Sequence, residues 1–133
     1  MKIYEQIMHH LDLLDGLTRA SRSLLLSAQK NRLDLVEEIT NNRDRLVSII
    51  KTIQSGIEDE ISKLIPGKVC TDDINIIKTW GREVNDLIFL NDQIDLACLE
   101  ILEKEKEETT KEIATVFRAN QSVKGYNLNS VKK

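Results

Sequence analysis

Two adjacent histidines, two distant cysteines, one tryptophan and a scatter of arginines are the residues of this 133-residue chain that could do chemistry. His9 and His10 are its only histidines. Neighbours on a helix point about 100° apart, so the pair cannot share one metal ion, and both are expected at the surface. No HExxH spacing, Gly-rich phosphate loop or GxSxG elbow is present. Cys70 and Cys98 are too few for a disulfide framework and too far apart for a zinc knuckle. Cys98 falls on an apolar stripe and reads as a buried thiol. Cys70 follows Pro66-Gly67 and reads as exposed, with no His or Asp partner close in sequence. No catalytic, metal-ligating or cofactor-binding residue is assigned, and no cofactor is expected.

One enzyme class fits the composition: small all-helical mutases of the chorismate type also need few motifs. Their chemistry requires several buried cations around a dicarboxylate, and Arg43 with Arg32 or Lys51 makes an incomplete set. A coiled-coil scaffold or adaptor is the other alternative to a specific binding protein.

The elements that must position these residues are helices. The chain has one Pro, five Gly and 4% aromatics, with 31% of residues charged. A sheet-rich domain needs turn residues every 8–12 positions and more aromatic or β-branched side chains. An all-α antiparallel bundle is expected, built as a single domain over residues 1–123 with a polar tail at 124–133. The net charge of −3 and the interspersed signs argue against nucleic acid as the main ligand, since that affinity comes from neutralising phosphates. The longest apolar run, Leu87-Ile88-Phe89-Leu90, is far short of the roughly 20 residues of a membrane span. Glu5 spoils a secretory signal, which makes a cytoplasmic location the default. The oligomeric state is left open, a homodimer included.

Ile3, Ile7, Leu11, Leu14, Leu17, Leu24 or Leu25, and Ala28 repeat at helical spacing. Lys30-Asn31-Arg32 then breaks the pattern, with Asn31 and Asp34 placed to cap the next helix. A second helix is expected over Leu33–Leu64, where Arg43 falls on the stripe. Its aliphatic stem is expected to pack while its charge reaches solvent; the alternative is an anion or partner contact. Pro66-Gly67 marks a loop. The third region carries Ile74, Ile77, Trp80, Val84, Leu87, Ile88, Ile94, Cys98, Ile101 and Leu102. It runs as one long helix to about Val123 or breaks near Thr109-Thr110 into a fourth, and Lys124-Gly125 is a helix stop.

Trp80 has two readings: a core anchor, or part of an apolar groove that a partner helix fills. The groove would lie between the second and third helices and take in Ile50, Ile53, Ile77, Trp80, Val84 and Ile88. Beyond Leu102 the stripe lapses into Glu103-Lys104-Glu105-Lys106-Glu107-Glu108 and resumes only at Ile113, Val116 and Phe117. A helical segment so weakly held can serve as a movable cover over residues 103–133, with those three side chains as its apolar face.

Several stretches, taken in order, resemble the FliT family of flagellar export chaperones. Gln29-Lys30-Asn31-Arg32-Leu33-Asp34-Leu35-Val36-Glu37-Glu38-Ile39 is similar to the family's polar break and acidic-aliphatic run. Asn42-Arg43-Asp44-Arg45-Leu46-Val47 resembles its arginine-centred motif, and Leu90-Asn91-Asp92-Gln93-Ile94 its leucine–aspartate–isoleucine segment. Val123-Lys124-Gly125-Tyr126 resembles the ending that closes many members. The likeness spans about residues 20–126; the first helix has no family signature, and Phe117-Arg118-Ala119-Asn120-Gln121-Ser122 lacks the usual basic stretch. The resemblance implies a cytoplasmic, non-enzymatic protein that binds the filament-cap protein FliD and delivers it to the export apparatus. It also implies that the last helical segment can cover the partner-binding surface.

Overall fold

The computed structural model describes the backbone from Lys2 to Lys132 and the side chains of residues 3–116 and Arg118. Three helices follow one another: α1 (Lys2–Gln29), α2 (Leu33–Ser62) and α3 (Thr71–Lys132). No strand occurs among the described residues. The fold is an all-α helical bundle. Its compact unit is Met1–Cys98, and Leu99–Lys133 forms a second unit. The division falls close to where the apolar stripe lapses.

Asn31 closes α1; it does not open α2. It adopts the left-handed conformation, with φ of 55°. The amide of Asn31 donates to the Ala28 carbonyl at 3.1 Å, and that of Arg32 to the Ser27 carbonyl at 2.9 Å. This pair of bonds is a Schellman cap, for which Asn is the usual substitute for Gly. The N-cap of α2 is Arg32, which makes no side-chain cap bond; its guanidinium instead meets Asp34 at 3.4 Å. At the other loop, the Lys68 amide donates to the Ile65 carbonyl at 2.9 Å, closing a turn over Pro66-Gly67.

Inside the bundle, Ile3, Ile7, Leu14, Leu17, Ile50, Ile57, Trp80 and Val84 form the main core. Leu24, Ile94 and Cys98 form a second cluster, packed by Leu25, Val36, Ile39 and Leu90. Each large side chain so buried contributes roughly 1.5–3 kcal/mol. The cross-helix contacts give the directions. His10 meets Trp80 and Ser21 meets Asn91, both at a separation of 70 residues, so α1 and α3 run parallel. Arg43 meets Asp95, while Ile61 shares a groove with Ile74 and Ile77, so α2 runs antiparallel to α3.

The backbone of α3 is helical through both Thr109-Thr110 and Lys124-Gly125, so neither marks a break. Two Thr residues are weak helix formers but not breakers, and one Gly costs only about 1 kcal/mol against Ala. Only Pro enforces a stop, and none follows Pro66. In the second unit Ile113 and Val116 are exposed. The side chain of Phe117 and those of 119–133, the expected polar tail included, lie outside the described residues.

Candidate functional site

A groove of about 330 Å³ runs between α2 and α3, with Leu14 and Leu17 of α1 as its floor. These positions follow from the local spacing. Arg43, Val47, Ile50, Lys51 and Gln54 recur at three- and four-residue intervals along one edge of α2, and such positions share a helix face. Ile88, Asn91, Asp92 and Asp95 do the same on α3. The α2 wall is therefore basic and the α3 wall acidic, around an apolar strip. Cations on one wall and carboxylates on the other can orient a charged amphipathic helix laid between them.

One ion pair ties the two walls together. Arg43 Nη2 lies 2.8 Å from Asp95 Oδ1 and 3.0 Å from Oδ2. The Arg43 side chain retains only 15% of its exposure, so its charge meets a carboxylate and does not reach solvent as expected. Its Nε is buried without a hydrogen-bond partner. Below the pair, Cys98 is buried. Desolvation and the Asp95 charge push its thiol up from the ordinary value, opposed by Arg43, which makes it a poor nucleophile. Cys70 is exposed.

The residues expected to face a partner separate into three groups. Ile50 and Ile88 line the α2–α3 groove, Ile88 at 45% exposure. Ile53 and Ile77 are half-buried against the core, and Ile77 also edges a separate hollow with Ile61, Leu64 and Ile74. Trp80 and Val84 are core residues, at 7% and 6% exposure. Trp80 does not line the α2–α3 groove; it is buried on the inward side of α3, between Ile77 and Val84, and lines a hollow on the α1 side.

A row of buried polar side chains along α1 and α3 was not expected from the sequence. His10 is fully buried; only His9 is at the surface. The Trp80 indole Nε1 donates to His10 Nδ1 at 3.0 Å, with the rings edge to face and 5.5 Å between centroids. Three turns further on, Ser21 Oγ donates to Asn91 Oδ1 at 2.6 Å. The Asn91 amide in turn donates to Thr18 Oγ1 at 2.9 Å and to the Leu87 carbonyl at 2.8 Å. Asn91 uses its acceptor and both donors, so it adds specificity without an orphaned group. The available signal was positional: His10, Ser21 and Asn91 occupy stripe positions between apolar residues.

An indole can only donate, so His10 Nδ1 must be unprotonated, and the neutral ring carries its hydrogen on Nε2. Nε2 is buried without a hydrogen bond, on the side where Gln54 and Glu58 of α2 approach. Burial pushes the His10 pKa below 6.5, opposed by Gln54 and by the Glu58 charge. The native state then binds fewer protons than the unfolded chain. The associated stability is fully present above about pH 6.5, the unfolded value, and is lost as pH falls through the folded value. Urea midpoints should accordingly be level above about pH 7 and decline below about 6.5. His10→Gln should flatten the part of that decline above pH 5, where carboxylates contribute little. An identical decline in the variant assigns the effect to other groups.

Among the described residues, no group of three or more His, Cys, Asp or Glu is placed to hold a metal ion. No described helix is long and apolar enough to cross a membrane. Comparisons with protein-family models, with curated proteins and with solved structures find no match to this chain.

Proposed function

We propose that this chain is a binding protein of the flagellar export-chaperone type, which takes up a helical segment of an export substrate along the α2–α3 groove. By the resemblance of its motifs, the substrate is the filament-cap protein FliD, held in the cytoplasm and passed to the export apparatus. The observation that carries the reading is the groove itself: an apolar strip of Leu14, Leu17, Val47, Ile50 and Ile88, with Arg43 and Lys51 on one wall and Asp92 and Asp95 on the other. A bundle of three helices leaves room for a fourth at such a seam, and an amphipathic helix is what its shape and charge accept. Arg43 acts here as a strut, neutralised by Asp95, so Lys51 and Asp92 are the charges free to meet the incoming segment.

Titration of the purified chain with FliD from the same organism tests the reading. Binding should be one to one. Ile88→Lys should weaken it at least tenfold, on the order of 1.4 kcal/mol or more, because an apolar anchor is replaced by a charge within the contact. Ile88 is half in solvent, so the melting temperature of the variant should move little. An unchanged affinity in Ile88→Lys removes the groove from the account, and no complex at all removes the chaperone.

A further inference from the structure

A second groove opens on a different face of α3, along its seam with α1. Tyr4, Met8 and Leu11 of α1 and Ile76, Trp80 and Glu83 of α3 wall a volume of about 370 Å³. Tyr4 and Met8 are both close to half exposed. The stretch from Tyr4 to Leu11 is about 10 Å long at roughly 1.5 Å per residue. That length matches about two turns of a helix lying alongside, anchored at i, i+3 or i+4, and i+7. Methionine adapts to varied apolar partners, and tyrosine offers a rigid face.

The charges around this groove are one-sided. Glu83 is the charged residue in its wall. Glu5 and Asp12 lie one turn to either side of Met8, and Asp15 lies one turn beyond Leu11; all three are exposed. Between Ile3 and Thr18, α1 contains no Lys or Arg. On the stretch of α3 along this groove, Lys78 lines the hollow shared with α2, leaving the exposed Arg82 as the cation of that stretch. The α2–α3 groove, by contrast, balances two cations against two carboxylates. The geometry points to the α1–α3 seam as a second docking site, for an amphipathic helix of another protein whose apolar stripe is bordered by Lys and Arg. Acidic rims of this kind steer basic partners in and discriminate against acidic ones.

Trp80 is the only tryptophan of the chain and forms part of this wall, so its emission reports on occupancy. The full chain is titrated with a 14-residue Leu/Lys peptide patterned as an amphipathic helix, and separately with its Leu/Glu counterpart. The Leu/Lys peptide should shift the Trp80 emission and bind at least tenfold tighter than the Leu/Glu peptide. Met8→Lys, and Asp12→Lys combined with Glu83→Lys, should each weaken the Leu/Lys peptide at least tenfold. Both variants lie at exposed positions, and their helix content is checked by circular dichroism. Glu38→Lys, a charge reversal at an exposed position outside both grooves, should leave this binding unchanged. Equal binding of the two peptides, no binding, or binding indifferent to the Met8 and Glu83 variants overturns the proposal. So does a dimer of the chain that Met8→Lys abolishes, which would assign the seam to a second copy.

Discussion

Replacing Trp80 with alanine should lower the stability of the three-helix unit by about 3–5 kcal/mol, the range for emptying an aromatic site in a packed core. The side chain is buried among Ile7, Leu14, Ile50, Ile57 and Val84, and little in the surrounding helices can collapse into the space. The indole also satisfies His10 Nδ1, which alanine leaves unpaired. Trp80→Phe separates the two contributions. It retains most of the ring volume and removes the donor, at about 1–3 kcal/mol for the orphaned acceptor. Urea denaturation followed by far-UV circular dichroism measures both variants, since neither retains a tryptophan to observe. A loss below about 1 kcal/mol for the alanine variant would contradict the core assignment.

Asn91→Ala is expected to cost roughly 2–4 kcal/mol, through a small cavity and the hydrogen bonds it strips from Ser21 and Thr18. The companion experiment is more informative. Removing a polar pair together, as in Ser21→Ala with Asn91→Leu, leaves fewer orphans and can be close to neutral. The double variant should therefore regain most of the loss. A double variant as unstable as the sum of its single changes would show that packing, not hydrogen bonding, sets the cost at this layer.

Much of this architecture was legible in the sequence because it rests on periodicity. The stripes of Ile3, Ile7, Leu14 and Leu17, and of Trp80, Val84, Ile94 and Cys98, predict both the helices and their inward faces. The loop at Pro66-Gly67 was legible for a local reason, the backbone limits of proline. The sequence does not show which helix Asn31 caps, because its side chain suits two roles. A left-handed C-terminal cap and an N-cap both favour Asn, and only the backbone angles separate them. By polarity His10 reads as a surface residue, and by position as a core one. It sits at i+3 from Ile7 and i−4 from Leu14, which places it in the core whatever its chemistry. The pairing of Arg43 is not legible for a different reason: its partner, Asp95, is 52 residues away, and no local rule pairs residues across a loop. The six groove residues were split because a stripe shows which side of a helix turns inward. It does not distinguish the centre of that side, where Trp80 and Val84 lie, from its margin, where Ile88 lies.

Two of the polar contacts between α1 and α3, His10 with Trp80 and Ser21 with Asn91, share one separation in sequence, and that equality governs which changes in chain length the molecule can absorb. His10 and Ser21 on one helix, like Trp80 and Asn91 on the other, stand about three turns and roughly 16 Å apart. They work as two keys on one shaft. An extra residue between His10 and Ser21 turns the second key by about 100° relative to the first, so one pair can close only if the other stays open. The same insertion in the loop at residues 63–70 shifts both members of α3 together and leaves the keys aligned. Length is thus fixed in the two helices that never adjoin in sequence, and free in the loop that connects α3 to the rest.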